Sequence, residues 1–235
     1  MSHIESYRSR YRDGEWRAPI FCDMILDDVR SFPAPPVVLD IGCGSGFDDD
    51  LRLQQTIVES AGRYIGVDPD AGMGPQFIRS SFEDAPLDPG SIDLAYSVMV
   101  LEHIADPDRF WNKVHSILRN GGVFWGFTMD ERHWFRLAST WSERLRVKDL
   151  YLTLLRGKKG IDRYSNYPTY YRANSPRRIR TQARKFRTVE CVNFQRASQL
   201  DFYLPRMLRL LGHAIGRAEA LLGLPGVILA VRVTK

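Results

Sequence analysis

The feature that most constrains this chain is a short apolar run that leads directly into a glycine-rich loop. Residues 37–50 read VVLDIGCGSGFDDD, so that Asp40 is followed by Gly42, Gly44 and Gly46 at alternate positions. A brief apolar run bounded by glycines predicts a buried parallel strand, and glycine lets the chain turn tightly and approach a ligand. A doubly wound α/β fold builds its nucleotide site in this way. The G-x-G-x-G spacing differs from the dinucleotide and P-loop signatures. The alternative is that these glycines only form a turn that needs small residues and bind no ligand.

Size and composition limit the classes of protein that the chain can form. Its 235 residues suffice for one α/β domain with an insertion, or for at most two small domains. Its content of 44% apolar and 26% charged residues is ordinary for a globular protein. No stretch approaches the roughly 18 unbroken apolar residues of a membrane span, and residues 1–16 lack the apolar core of a signal peptide. Cys22, Cys43 and Cys191 are far apart, which argues against a disulfide framework or a zinc site. These features predict a cytoplasmic protein.

The net charge of +5 is unevenly distributed along the chain. Residues 130–190 hold sixteen Lys and Arg against six Asp and Glu, whereas the remainder has a net charge of −5. A cationic segment beside a slightly acidic core predicts an anionic partner, such as a phosphate, a lipid headgroup, an acidic glycan or a nucleic acid. A solvated helical surface is an equally weighted alternative.

The rest of the chain alternates strand and helix patterns. We predict a polar arm over 1–16, a leading helix over 21–29, a crossover helix over 47–62 and a helix that starts at Pro107. Further strands are predicted over 64–68, 76–79, 91–98, 123–128, 188–194 and 226–233. Strands that alternate with helices at this spacing predict a parallel sheet. Residues 130–172 are interpreted as a cap inserted over the strand ends, with a helix through 134–145, and residues 199–225 as a helical insertion before the last strand.

Four segments carry a resemblance to a known family. They read LDIGCGSG at 39–46, IGVDPD at 65–70, FEDAPLDPGSIDLAYSVMVLEHIADP at 82–107 and LRNGGVFWGF at 118–127. In this order and at these intervals they resemble the class I S-adenosylmethionine-dependent methyltransferases, close to the small-molecule subgroup of type 11 and type 12. The resemblance implies a Rossmann-like, doubly wound seven-stranded α/β sheet, mostly parallel with an antiparallel last strand. Residues 37–235 then form a single domain, preceded by the arm and helix of residues 1–36.

The resemblance implies which residues hold the methionine and ribose parts of the cofactor. Gly42, Gly44 and Gly46 would let the loop pass beneath them, and Asp40 would order that loop. Asp68 ends the second predicted strand, where an acid is placed to accept both hydroxyls of a ribose. Capping of a helix is the alternative role of Asp68.

The adenine and methyl ends of the cofactor are assigned in the same way. Adenine would lie near Pro69 and residues 81–83. Many relatives place an acid at the position of Ser81, so its replacement leaves Glu83 or the backbone of Phe82 as the contact. Ser97 would end strand four beside the methyl group.

The candidate catalytic residues follow the fourth predicted strand. A hydroxyl acceptor needs its proton removed as the new bond forms, and His103 is the best candidate base by position and by its ordinary pKa. Its neighbour Glu102 is the second candidate, and a structural or substrate-orienting role is the alternative for this pair. Metal-binding relatives carry a Glu where this chain has Met99, and a hard cation prefers several oxygen ligands. A divalent metal is therefore not favoured, and Asp130 and His133 are the second choices as base or substrate contact.

We predict an O-methyltransferase that acts on a saccharide, a glycolipid or a related metabolite. The aromatic residues of the cap would form either an acceptor platform or the core of the insertion; they are Trp134, Trp141, Tyr164, Tyr167, Tyr170 and Tyr171. An RNA or protein methyltransferase that uses the basic insertion is the first alternative, although the absence of an N-methylation tetrapeptide after strand four disfavours a nucleic-acid substrate. A non-catalytic cofactor-binding scaffold is the second. The leucine-rich residues 200–224 would pack within the domain, with a membrane surface or the second copy of a homodimer as alternatives.

Overall fold

The predicted strands form one twisted sheet in the computed structural model, which describes residues 2–44, 46–72, 74–134, 168–199 and 206–235. The strands are β1 (Val37–Ile41), β2 (Arg63–Asp68), β3 (Phe77–Arg79), β4 (Ile92–Val98), β5 (Leu118–Met129), β6 (Thr188–Phe194) and β7 (Ile228–Thr234). Their order is β3-β2-β1-β4-β5-β7-β6. The first five run parallel, and β7 is antiparallel to both β5 and β6. The predicted doubly wound fold with an antiparallel last strand is confirmed.

Helices cover both faces of this sheet. They are α1 (Ser2–Arg12), α2 (Arg17–Ser31), α3 (Leu51–Ser60), α4 (Pro107–Ile117), α5 (Pro176–Gln182) and α6 (Arg209–Leu221), with short 3-10 turns at Leu101–His103 and Arg206–Leu208. One face packs against α1, α2 and α3, where the rings of Phe21 and Phe127 stack with centroids 4.2 Å apart. The other face packs against α4 and α5 through Phe110, Trp111 and Ile179. None of the helices described is both long and apolar enough to cross a membrane.

The direction of the strands determines where a site can form. Because β6 and β5 are both antiparallel to β7, β6 runs in the same direction as β1 to β5. The carboxyl ends of all these strands therefore meet at one edge of the sheet, which we call the carboxyl edge. In an open α/β sheet, ligands bind in the crevice outside this edge.

The N-terminal segment differs from its sequence prediction. Residues 1–16 were predicted as a polar arm, but Ser2–Arg12 form a helix. Tyr7 and Tyr11 are spaced four residues apart, and both are buried against the sheet. A narrow aromatic stripe within a charged sequence is thus enough to dock the helix. The next helix is also longer at both ends than the predicted 21–29.

Two other boundaries are corrected by backbone conformation. The crossover helix starts at Leu51 and not at residue 47, because Asp48 and Asp49 adopt positive φ angles of 50° and 68° and the side chain of Asp50 caps the helix. Strand β5 begins at Leu118, five residues before the predicted start at residue 123, so that residues 119–122 lie in the strand. Gly121 permits this path with φ at 80°.

The predicted insertions are described only in part. Of the cap, Trp141, Tyr164, Tyr167 and nearly all of the predicted helix over 134–145 lie outside the described residues. Residues 200–205 of the helical insertion also lie outside them. The described remainder of that insertion contains α6, which faces the domain with Gly212, Gly216 and Glu219.

Candidate functional site

The glycine loop lies at the carboxyl edge, between β1 and the segment that follows β4. The backbone N–H of Gly42 donates to the carbonyl of Val67, 2.7 Å away, which ties the loop to β2. Gly42 has φ at 79°, and a Cβ atom there would lie 2.4 Å from Cγ2 of Val100. The loop therefore depends on glycine at position 42 both for its backbone conformation and for its close contact with the chain after β4.

Asp40 is buried beneath the loop and ties three elements together. Its Oδ2 accepts hydrogen bonds from the hydroxyls of Tyr64 and Tyr96, at 2.7 and 2.8 Å, and from Nε2 of Gln54 at 3.3 Å. Gln54 also donates to the carbonyl of Cys43 in the loop at 3.2 Å. Burial raises the pKa of Asp40 to about 6, against the lowering effect of these donors. This geometry supports the loop-ordering role of Asp40.

The three donors to Asp40 were not identified from the sequence. Tyr64 and Tyr96 lie in the mostly buried strands β2 and β4, and Gln54 lies in α3. A polar group buried in a sheet needs a hydrogen-bond partner. The two tyrosines within core strands were thus the available signal for this cluster.

Asp68 ends β2 directly opposite the loop. Its Oδ2 accepts from the N–H of Gly44 at 3.2 Å, and its Oδ1 accepts from the N–H of Asp70 at 2.7 Å. The carboxylate is half-buried, and each of its oxygens can accept one more hydrogen bond. This position suits two ribose hydroxyls. Pro69, the predicted adenine neighbour, is exposed immediately after it.

The segment 81–83 follows β3 at the same edge. Ser81 donates through its hydroxyl to Asp84 at 2.7 Å and accepts from the N–H of Asp84 at 3.3 Å. The ring of Phe82 is buried against that of Phe110, with centroids 5.2 Å apart, so a ligand contact by Phe82 would come from its backbone. Glu83 is half-buried. The side chain of Glu83 and the backbone of Phe82 therefore stay the predicted adenine contacts.

The end of β4 carries two unusual features. The hydroxyl of Ser97 is buried and has no hydrogen-bond partner among the described residues. Two residues later, Met99 adopts a positive φ of 55°, which is uncommon for a bulky side chain. An unsatisfied buried hydroxyl and local backbone strain at one strand end are typical of a ligand site. With the glycine loop and Asp68, they fit the cofactor implied by the sequence.

His103 and Glu102 follow β4 but have different surroundings. Nδ1 of His103 lies 3.0 Å from the carbonyl oxygen of Pro168. Glu102 is buried, and its Oε2 accepts from the hydroxyl of Thr128 at 2.7 Å. The carbonyl of Glu102 accepts from the N–H of Tyr170 at 2.7 Å. Glu102 therefore fastens the end of β5 and the segment that contains Pro168 to the turn that carries His103.

A second buried polar cluster lies beyond the ends of β5 and β6. Nε2 of His133 lies 3.3 Å from Glu219 of α6, and Gln199 donates to the same carboxylate at 2.8 Å. The indole N–H of Trp134 also donates to Glu219. Burial lowers the pKa of His133, with Glu219 acting in the opposite direction. Asp130 is likewise buried and bound to Arg132. The contact of His133 with Glu219 attaches α6 to the chain after β5, whereas Asp130 also accepts from the amide of Asn193 in β6. For both second-choice candidates, a role toward the substrate stays a prediction.

The predicted cofactor residues converge in space. Those of the loop, the end of β2, the segment after β3 and the end of β4 all lie at the carboxyl edge, although they are spread over residues 40–97. Among the residues that the structure describes, no three His, Cys, Asp or Glu side chains are grouped so that they could hold a metal ion.

Comparison with known proteins shows which family this chain resembles. Residues 39–126 match the family model described as a methyltransferase domain. An uncharacterised methyltransferase of Mycobacterium sp. (strain KMS) is 30% identical over 115 residues, which cover 45% of this chain and 44% of that protein. A tRNA U34 carboxymethyltransferase of Alteromonas mediterranea is 32% identical over 130 residues, which cover 47% of this chain and 37% of that protein. The chain thus spans less than half the length of these curated relatives.

The fold comparison covers nearly the whole chain. The crystal structure of a SAM-dependent methyltransferase from Archaeoglobus fulgidus matches with a TM-score of 0.55 at 16% identity, over 96% of this chain and 97% of that one. This likeness concerns the fold, whereas the matched domain covers the glycine loop, Asp68 and the end of β4. Sheet order, loop geometry and matched residues together show that the chain contains a class I S-adenosylmethionine-dependent methyltransferase domain.

Proposed function

We propose that this protein methylates a hydroxyl oxygen of a small acceptor, namely a saccharide, a glycolipid or a related metabolite. When bound, the cofactor supplies a methyl group on a positively charged sulfur. The reaction is an in-line displacement, so the protein contributes mainly by positioning the reactants and excluding water. The observation that carries the proposal is the placement of His103, which follows β4 at the same edge as the cofactor loop.

The hydrogen bond of His103 supports its role as the base. A carbonyl oxygen only accepts hydrogen bonds, so in the neutral ring the proton lies on Nδ1, which faces Pro168. Nε2 is then the nitrogen with the lone pair, which is the form that can remove a proton from a hydroxyl. Fixing one ring nitrogen in this way orients the other.

Glu102 acts as a positioning residue in this proposal. Its buried carboxylate binds Thr128, and the amide of Asn174 donates to the same threonine at 2.6 Å. Its carbonyl binds the N–H groups of Tyr170 and Tyr171. Together these bonds hold residues 168–174, including the carbonyl that orients His103, against the ends of β4 and β5.

Tyr170 supports an acceptor with a sugar-like or amphiphilic surface. Its ring is 41% exposed, and the guanidinium of Arg172 lies 5.4 Å from the ring centroid. An exposed aromatic face beside a cation offers both an apolar surface and a charge to a polar ligand. The rest of the predicted aromatic platform stays a prediction, as does the cytoplasmic location.

The cofactor site is tested by calorimetry with S-adenosylmethionine. Asp68→Ala removes the proposed ribose acceptor, and we expect at least a tenfold loss of affinity, since a hydrogen bond to a charged group contributes about 1.5–3 kcal/mol. Asp70→Ala is the matched control, because this exposed acid is two residues away. Equal affinities for the two variants would refute the assignment of Asp68.

The base is tested by turnover with a panel of saccharide and glycolipid acceptors and labelled cofactor. We expect His103→Ala to lower kcat by about 10²–10⁴-fold, the usual range for a general base, while cofactor affinity is unchanged. Turnover of the variant within a few-fold of wild type would remove His103 from this role. Binding of the cofactor without turnover on any acceptor would instead favour the non-catalytic scaffold.

An RNA substrate is the second candidate. The relative named as a tRNA U34 carboxymethyltransferase and the cationic residues 130–190 favour it. Binding of RNA through its phosphates would weaken steeply as salt is raised. Retention of tRNA with such a salt dependence, together with methyl transfer to it, would replace the small acceptor.

A further inference from the structure

The segment that contains α6 exposes an unusual number of large apolar side chains. Seven of them between residues 206 and 224 are 46% to 91% exposed: Met207, Leu208, Leu210, Leu211, Leu221, Leu222 and Leu224. Single exposed apolar residues are normal on a protein surface, but a concentration of this kind marks an interaction site. We call residues 206–224 the leucine segment.

The leucine segment is turned outward because its inner face is built from small residues. Gly212 and Gly216 are buried, and a Cβ atom on Gly216 would lie 2.5 Å from the carbonyl oxygen of Ala197. The helix therefore rests closely on the chain after β6, and larger side chains have no room on that side. Its long apolar side chains project from the other faces of the helix.

The charged residues of the leucine segment also differ between its buried and its exposed positions. Its one acidic residue, Glu219, is buried and is bound to Gln199 and Trp134. Arg206, Arg209 and Arg217 are exposed. The charges that this segment presents to solvent are thus all positive, and they stand among the exposed leucines.

We propose that the leucine segment is a docking surface for an anionic lipid bilayer. A helix with exposed apolar side chains and exposed arginines lies in the bilayer interface, with its apolar groups among the acyl chains and its cations near anionic headgroups. In a symmetric contact the same segment would face its own copy, so its exposed arginines would meet no exposed acidic side chain of that segment. Charge complementarity therefore favours the lipid surface, whichever acceptor the enzyme uses.

The anchoring of α6 relates this surface to the site. Glu219 is held by Trp134, which follows β5, and by Gln199, which follows β6. Both partners lie beyond the carboxyl edge, where the cofactor loop also lies. Docking would therefore bring that edge of the sheet close to the bilayer.

The proposal is tested by sedimentation with vesicles of phosphatidylcholine, either pure or with about 30% phosphatidylglycerol. We expect wild type to bind the anionic vesicles and to bind the neutral ones much more weakly. Leu210→Gln combined with Leu221→Gln should lower the partition coefficient by about tenfold for each leucine. Arg209→Gln combined with Arg217→Gln should lower it by about fivefold for each arginine on anionic vesicles only.

Two control variants lie outside the leucine segment. Leu51 is a comparably exposed leucine on α3, and Arg63 is an exposed arginine at the start of β2, at the opposite edge of the sheet. Arg63→Gln should leave vesicle binding unchanged, and Leu51→Gln should lower it much less than either leucine substitution in the leucine segment. Thermal unfolding of each variant would show that the exposed positions tolerate the changes without loss of the fold.

Other occupants of the surface give different results. Light scattering that shows a dimer dissociated by the leucine variants, without vesicle binding by wild type, would identify a second copy of the chain. A lowered Tm of the leucine variants, again without vesicle binding by wild type, would show that another part of the same chain packs there. Binding of wild type and all variants to vesicles with equal affinity would also overturn the proposal.

Discussion

Among single residues, Asp40 shows how the cofactor loop depends on a buried charge. Two tyrosine hydroxyls and one amide donate to a single carboxylate oxygen, and the side chain is 3% exposed. These donors stabilise the ionised form, but burial opposes it more strongly, so that the pKa is about 6. The charge is therefore kept at a free-energy cost in the folded protein.

This cost predicts a characteristic pH dependence. An unfolded aspartate ionises near its ordinary pKa, so Asp40 in the folded state holds its proton more tightly. The tighter binding of this proton stabilises the folded state, and this stabilisation is fully present below about pH 4. It is lost as pH rises through about 6, and the loss amounts to roughly 3 kcal/mol. The difference in free energy of unfolding between wild type and Asp40→Asn should fall by most of this amount between pH 4 and 7.

The measurement is urea unfolding of both proteins across that range of pH. Asp88→Asn is the matched substitution at an exposed aspartate in the loop before β4, and it reports the effect of the exchange itself. A difference between wild type and Asp40→Asn that does not change with pH would contradict the prediction.

Among the secondary-structure elements, α4 is a helix whose start was predicted correctly from local chemistry. Pro107 occupies the first helical position, and Oδ1 of Asp106 accepts from the N–H of Arg109 at 3.0 Å. The helix then buries four apolar residues, namely Phe110, Trp111, Val114 and Ile117. Proline at this position and an aspartate cap are a strong signal because both act within one turn of the chain.

Loss of this cap should be measurable. We expect Asp106→Ala to lower the free energy of unfolding by about 1 kcal/mol, because the N–H of Arg109 loses its acceptor. Asp106→Asn should recover most of this loss. Asp108→Ala is the control: this residue is exposed in the first turn, and its favourable interaction with the helix dipole is about 0.3–1 kcal/mol. Denaturant unfolding that gives equal losses for the two alanine variants, with no recovery in Asp106→Asn, would show that the cap contributes nothing.

Across the whole molecule, Asp28 connects the N-terminal helices to the last strand. Its carboxylate accepts from the indole N–H of Trp125 at 2.7 Å and from Nε and Nη2 of Arg232 at 2.8 and 3.1 Å. These partners belong to β5 and β7. The hydrogen bond to Asp28 is also the main reason that the pKa of Arg232 is raised.

Removing Asp28 should therefore destabilise the protein as a whole. Asp28→Ala leaves an indole N–H and a half-buried guanidinium without their acceptor, and we expect a loss of about 2 kcal/mol in the free energy of unfolding. Arg30→Ala breaks an exposed ion pair with Asp27 and should cost at most about 0.5 kcal/mol. Equal losses in thermal and denaturant unfolding would contradict the connecting role of Asp28.

The sequence by itself determined the alternation of strands and helices, the loop after β1 and the edge at which the cofactor residues meet. The strands, helices and loop depend on periodicity, glycine spacing or capping within a few residues. The shared edge follows because parallel strands bring their carboxyl ends together, regardless of which side chains they carry. The helix over Ser2–Arg12 was missed because only its burial against the sheet distinguishes it from a polar arm.

Only the tertiary structure decided which side chains support the site. Tyr64 and Tyr96 are 24 and 56 residues from Asp40, and Pro168 is 65 residues from His103. The outward direction of the leucines on α6 likewise follows from how closely Gly216 approaches Ala197. Such contacts arise when distant segments pack at close range, and a local pattern of residues does not encode that distance.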